Sequence, residues 1–304
     1  MKLLLALTAA LLLLASCDKA TAPKPDPTHV YDLIFDGKRT ITEIWVLDST
    51  TDSLYRFFAP NVPTFDPTPA PDGSKLSFIY DIGIPDETDV WRVERDGNHF
   101  HQVTFDSGID DQPTWSPDGL HIAYRSVREG PGDIWVMDEH GLGPVNLTPD
   151  PPPNVSGEAH PAWSPNGAKI AYASDAGGDM DLWVMNADGT DKVRLTNTID
   201  FDTEPAWSPD GSRIAFRRSS TGRGSDIMII PAGGGTAMPL ALAGEQREPV
   251  WSPNGARIFY VGQDSIAARP DVFSMKADGT DVQAAVPPDS FPGGCQNPAF
   301  IRRP

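Results

Sequence analysis

The chain has 304 residues, with 42 Asp and Glu against 24 Lys and Arg and a formal charge of −18. That balance argues against binding nucleic acid or an anionic lipid surface, both of which are recognised by clusters of Lys and Arg. It favours cations or basic partners, with part of the acid absorbed by turns.

Met1-Lys2 is followed by an apolar run from Leu3 to Leu14 and then Ala15-Ser16-Cys17. One charge, a short greasy core and small residues describe a secretory signal, and the run is too short to span a bilayer. Leu14-Ala15-Ser16-Cys17 resembles the bacterial lipobox. The resemblance implies that residues 1–16 are removed and that Cys17 is lipidated, and more than one acyl chain gives stable anchoring. Losing residues 1–16 removes one Lys and no acid, so the charge moves from −18 to −19. With Cys17 acylated, the chain offers Cys295 no second cysteine, so no disulfide is expected. Asp18 resembles an inner-membrane retention signal, but the leaflet stays open. Residues 17–28, polar and rich in Pro, read as a semi-extended tether. The rest, 29–304, has no dividing linker and suits a closed all-β unit.

The body is organised by a repeat. Glu204 to Gly211 reads Glu-Pro-Ala-Trp-Ser-Pro-Asp-Gly, and near-copies begin at Gln112, His160 and Glu248. A copy from Asp66 to Gly73 lacks the Trp, and Asn297-Pro298-Ala299-Phe300 stops before the turn. The spacings between Pro67, Pro113, Pro161, Pro205, Pro249 and Pro298 are 46, 48, 44, 44 and 49 residues. A period of that size without a helical pattern signals a β-propeller or similar array.

One period shows four strands. Pro161 to Ser164 is strand a, and Ser164-Pro165-Asn166-Gly167 is a tight turn. Lys169 to Ala173 is strand b, Asp181 to Asn186 strand c, Asp188-Gly189 a hairpin turn and Val193 to Thr196 strand d. At the N-terminal end Tyr31–Phe35, Glu43–Asp48 and Leu54–Phe58 supply strands b, c and d without a strand a. At the other end Pro298–Ile301 is a lone strand a. Joining them yields a composite blade, and five complete repeats make six. The expected fold is therefore an all-β, six-bladed propeller of four-stranded antiparallel blades. It is closed by the C-terminal strand a pairing with the N-terminal strands, which removes open sheet edges.

The Pro-Ala-Trp-Ser-Pro-Asp-Gly, Ile-Ala-Phe, Asp-Ile-Trp-Val-Met-Asn-Ala-Asp-Gly-Thr and Arg-Leu-Thr elements resemble the propeller of bacterial TolB and its relatives over nearly all of residues 30–304. Family resemblance implies a protein-binding role in the cell envelope. TolB carries an α/β domain before its propeller, where this chain has a lipid signal and a Pro-rich tether.

All eight Trp occupy two repeat positions. Trp115, Trp163, Trp207 and Trp251 lie in strand a, and Trp45, Trp91, Trp135 and Trp183 in strand c; packing between blades accounts for them. No nucleophile elbow, His-Glu-x-x-His pair or phosphate loop is present. The residue before the strand-a Pro varies: Asp66, Gln112, His160, Glu204, Glu248 and Asn297. Strand a is innermost, so these six should ring one mouth of the channel. Crowded acids there call for a cation, water or a basic group. The ring is a candidate site for a partner's basic or amide group, or for a divalent cation held by Asp66, His160, Glu204 and Glu248. The b-to-c and d-to-a connections vary most and emerge on the ring's side, a usual place for binding. The expectation is a non-catalytic, monomeric envelope lipoprotein, periplasmic or on the outer surface. It would have no cofactor and would bind a protein or peptide, touching the membrane only through its anchor. The alternative is an envelope glycan or small-ligand binding protein, or a metal-dependent lyase using the ring.

Overall fold

The computed structural model describes residues 31–302 except 39–41, 49–52, 59–62, 81–82, 85–86, 150–155, 223, 241–243, 264–269, 287–289 and 291–294. The signal segment, Cys17 and the tether lie outside the described residues.

The chain begins with β1 (Tyr31–Lys38), β2 (Thr42–Asp48) and β3 (Ser53–Phe58), which belong to blade 1. Blade 2 holds β4 (Thr64–Pro69), β5 (Lys75–Tyr80), β6 (Asp89–Glu94) and β7 (His101–Gln102). Blade 3 holds β8 (Asp110–Trp115), β9 (His121–Ser126), β10 (Asp133–Asp138) and β11 (Val145–Asn146). In blade 4 the strands are β12 (Glu158–Trp163), β13 (Lys169–Ser174), β14 (Asp181–Asn186) and β15 (Val193–Arg194). Blade 5 follows with β16 (Phe201–Trp207), β17 (Arg213–Ser220), β18 (Gly224–Pro231) and β19 (Met238–Leu240), and blade 6 with β20 (Glu245–Trp251), β21 (Arg257–Gln263), β22 (Asp271–Lys276) and β23 (Gln283–Ala284). The last strand, β24 (Cys295–Arg302), returns to blade 1. It pairs antiparallel with β1, Leu33 opposite Phe300 and Ile34 opposite Ala299. The closure expected from the repeat count is thus present, with the order β24-β1-β2-β3.

Strand b shows why such sequences stack into a propeller. In blades 3, 4 and 5 it reads Ile122-Ala123-Tyr124, Ile170-Ala171-Tyr172 and Ile214-Ala215-Phe216. Alternate side chains leave opposite faces of a strand. Ile170 and Tyr172 accordingly pack with Ile134 and Leu147 of blade 3, while Ala171 packs with Ile214 and Phe216 of blade 5. Where strand b carries this Ala, a small face meets the large one of the next blade. Among the described residues, the buried apolar side chains fall into six clusters, one at each junction between neighbouring blades, including blade 6 with blade 1. Every Trp belongs to one of these clusters. Trp115, Trp207 and Trp251 also donate their indole N–H at 3.1 Å to a strand-a carbonyl of the preceding blade, those of Thr68, Ala162 and Ala206.

The a-to-b turns of blades 3 to 6 are built the same way. Ser208 Oγ accepts from the Arg213 amide at 3.0 Å and donates to Asp210 Oδ1 at 2.6 Å, and Gly211 N–H closes the turn on the Ser208 carbonyl. Ser116, Ser164 and Ser252 repeat the arrangement with Asp118, Asn166 and Asn254. In the c-to-d turn Gly189 has a φ of +85°, and a Cβ there would meet the Leu147 carbonyl oxygen of blade 3 at 3.0 Å. Only a glycine fits both the conformation and the approach.

Antiparallel order sets two faces. The a-to-b and c-to-d turns lie on one, the turn face. The longer b-to-c and d-to-a connections lie on the other, the loop face. Strand a differs from the expectation in one respect: it starts earlier. It runs from Glu158 rather than Pro161 in blade 4, from Phe201 in blade 5 and from Cys295 in blade 1. The residue before each Pro is therefore inside the strand.

Candidate functional site

Each strand a carries a β-bulge where the variable residue and the following Pro fall. Register slips between Phe65 and Thr68, Asp111 and Thr114, Ala159 and Ala162, Thr203 and Ala206, and Arg247 and Val250, and likewise where β24 meets β1. At all six bulges the variable residue is left-handed, with φ between 49° and 56° for Asp66, Gln112, His160, Glu204, Glu248 and Asn297. Such a conformation disfavours any residue with a Cβ. Pro suits the next position because the bulge interrupts the ladder and Pro brings no N–H to satisfy.

Hydrogen bonds between blades hold these residues. Gln112 Oε1 accepts the His160 amide N–H at 2.6 Å, Glu204 Oε2 accepts that of Glu248 at 2.5 Å, and Glu248 Oε2 accepts that of Asn297 at 2.6 Å. Each long polar side chain thus reaches the bulge of the next blade. The second oxygens meet guanidinium groups: Glu204 Oε1 lies 3.1 Å from Arg217 Nη1, and Glu248 Oε1 pairs with Arg247. Arg247 also donates to Gln296 Oε1 at 2.8 Å, and Arg125 pairs with Asp111 at 2.9 Å. Burial pushes the His160 imidazole well below its usual pKa; Glu204 opposes this, and Arg125 and Arg217 add to it. Burial raises Asp111 although Arg125 stands beside it.

All six ring residues line one central cavity of about 860 Å³. Its wall runs from Thr88 and Ile109 on the loop face, past the ring, to Pro117, Pro165 and Pro209 of the a-to-b turns. The ring is therefore a belt two or three residues inside strand a, and not a set of strand-starting residues at a mouth. Nor do Glu204 and Glu248 await an outside cation, because backbone amides and arginines of this chain engage both oxygens of each. Asp66, His160, Glu204 and Glu248 are not gathered into a metal-binding group. Among the described residues no three His, Cys, Asp or Glu side chains are so placed.

The sequence reading missed Arg125 and Arg217. Each lies 13 residues after a ring residue, on the neighbouring strand b, where the other full repeats have Ile79, Ala173 and Val261. Comparing that column across the blades would have found them.

Six four-stranded antiparallel blades around a channel walled by their first strands define a six-bladed β-propeller. Residues 153–286 match the TolB beta propeller domain, so that part of the chain is similar to that family. An uncharacterized protein of Agrobacterium fabrum is 30% identical over 148 residues, 46% of this chain and 48% of that protein, so the match spans about half the relative's length. Among solved structures, TolB from Acinetobacter baumannii superposes with a TM-score of 0.75 at 19% identity, covering 89% of this chain and 66% of that one. A protein described as TolB from Agrobacterium tumefaciens gives 0.67 at 22% identity, covering 90% and 98%. Enzymes share the fold too: an oligogalacturonate lyase in complex with manganese gives 0.58 at 15% identity, covering 82% and 72%.

Proposed function

We propose that the protein is a non-catalytic, lipid-anchored scaffold of the bacterial cell envelope that binds a protein or peptide through its loop face and the channel opening there. One observation carries the reading: large apolar side chains stand exposed on that face. Phe105, in the connection from blade 2 to blade 3, is 74% exposed, and Ile199, between blades 4 and 5, is 87% exposed. Ile84 and Phe201 are also exposed on that face. Leu120 and Leu142 are exposed in the turns of the other face as well, but variable loops on a rigid scaffold are the usual place for binding, and exposed apolar side chains there suit contact with a partner.

Topology supports the orientation this role requires. β1 is a strand b, so the chain enters it from the turn face. An anchor at Cys17, 14 residues before Tyr31, reaches at most about 50 Å and would join the propeller on its turn-face side, opposite the loop face. The internal engagement of Glu204 and Glu248 favours a structural over a catalytic use of the ring.

Charge reversal in the ring would damage the blade junctions, so the test belongs on the loops. A Phe105→Ser, Ile199→Ser variant and a turn-face control, Leu120→Ser, are each used as bait for detergent-solubilised envelopes. A partner retained by wild type and control but lost by the double variant supports the reading. Equal retention by all three, with the protein folded, overturns it. Cys17→Ser separately tests the anchor, moving the protein from the membrane to the soluble fraction if Cys17 is lipidated.

A further inference from the structure

One junction between blades lacks a piece that others have. On the turn face, the first residue of strand b in one blade lies beside strand a of the next. Between blades 5 and 6 that residue is Arg213, whose guanidinium carbon stacks 4.7 Å from the centre of the Trp251 ring. Between blades 2 and 3 it is Lys75, which crosses to Glu139. Between blades 3 and 4 the same two positions hold His121 and Ala187. An imidazole is too short to span the junction, and a methyl group offers a cation nothing. A cavity of about 580 Å³ is left, walled by His121, Val136, Trp163, Asp118 and Asp188 among others. Trp163 differs from its equivalents as well: its indole nitrogen is buried without an acceptor, where Trp115, Trp207 and Trp251 each reach a carbonyl of the preceding blade.

We infer that this groove between blades 3 and 4 is a binding site for an arginine side chain of a basic protein partner, distinct from the loop-face surface. The molecule supplies the template, since in the equivalent groove between blades 5 and 6 its own Arg213 occupies the place over the Trp. Trp163 provides the aromatic face, which attracts a cation through its quadrupole. Asp118 and Asp188 provide charge. Asp118 Oδ1 is tied to Ser116 and Leu120, and Asp188 Oδ1 to Thr190, which leaves the Oδ2 of each for a ligand. Those same turn bonds hold both carboxyls below their usual pKa, so they are ionised at neutral pH. A planar guanidinium stacks on an aromatic ring and pairs with carboxylates better than a compact ammonium does. The net charge of −18 brings basic partners toward the surface.

The probe is N-acetyl-arginine methylamide, with the citrulline compound as its neutral isostere. The indole N–H resonance of Trp163, assigned with Trp163→Phe, is followed in ¹⁵N-labelled protein. A saturable shift with the arginine probe and none with the citrulline one supports the site. His121→Arg should place a guanidinium over Trp163 as Arg213 does over Trp251, weakening probe binding by about tenfold, the scale of a partly desolvated cation–π contact. Its thermal midpoint should be unchanged or raised, which shows that the loss is occlusion and not unfolding. The inference is overturned if no saturable shift occurs, if citrulline binds as well, or if folded His121→Arg binds the probe undiminished.

Discussion

Glu204 is the best place to measure what the belt contributes. Three substitutions separate its roles. Glu204→Gln keeps an amide oxygen that can accept the Glu248 N–H and loses only the charge facing Arg217; that pair is 28% and 13% exposed at its two side chains, so its loss costs about 1 kcal/mol. Glu204→Ala removes the acceptor too and leaves the Glu248 amide without its 2.5 Å bond, adding about 1–3 kcal/mol. Glu204→Gly removes the same bonds, yet the site has a φ of +56°, where glycine escapes a left-handed penalty of about 1–2 kcal/mol that alanine keeps. The greater entropy of an unfolded glycine takes back part of that gain, up to about 1 kcal/mol. The expected order of stability is therefore wild type, Gln, Gly, Ala, although glycine ordinarily weakens a strand. Urea unfolding followed by far-ultraviolet circular dichroism gives the order. Alanine as stable as glutamine would remove the inter-blade bond from the account, and glycine below alanine would remove the backbone argument.

Two further predictions follow from the repeat. Trp251→Phe loses an indole bond to the Ala206 carbonyl, while Trp163→Phe loses none; the first should be destabilised by about 1 kcal/mol more, read as a difference in denaturation midpoints. Asp210 is held at a pKa of about 2 by Ser208 and Ser212, so its stabilisation is complete above the ordinary value of 3.8 and is lost as pH falls through about 2. Asp210→Asn, the residue type already present at Asn166 and Asn254, should lose less stability between pH 4 and pH 2 than wild type, and an identical acid limb in the two proteins would contradict this.

Much of the fold was legible because each strand states its role several times. The Ser-Pro-Asp/Asn-Gly turn depends on local bonds, such as Ser208 with Asp210 and Arg213, so four residues carry it. The alternation Ile170-Ala171-Tyr172 likewise shows which face meets which neighbour. Even the composite blade could be counted, since Phe300 stands in the Trp position of strand a. The start of strand a could not be read. A variable polar residue followed by Pro looks like a boundary, and the strand passes through it only because a left-handed bulge absorbs the extra residue. The satisfaction of the acids was hidden for a related reason. Glu204 and Glu248 are 44 residues apart, and Glu248 and Asn297 49 apart, and they meet only because the blades close into a circle.

The same circle explains where specificity can reside. A position filled alike in every blade is constrained by the junction it serves, as the Pro after each bulge and the Gly of each turn are. Variation at such a position is informative only once its bonds are known. The ring varied most and looked most functional, but at Gln112, Glu204 and Glu248 the variation is among side chains performing one task, accepting the amide of the next blade. The first residue of strand b varied less conspicuously, Lys75, His121, Lys169, Arg213 and Arg257, yet the exchange of a long cation for His121 changes what occupies the junction. Arg213 covers Trp251, whereas beside Trp163 there is a cavity. In a closed array a missing internal partner leaves a surface already shaped for an external one, and that distinguishes a departure that creates a site from one that only maintains the ring.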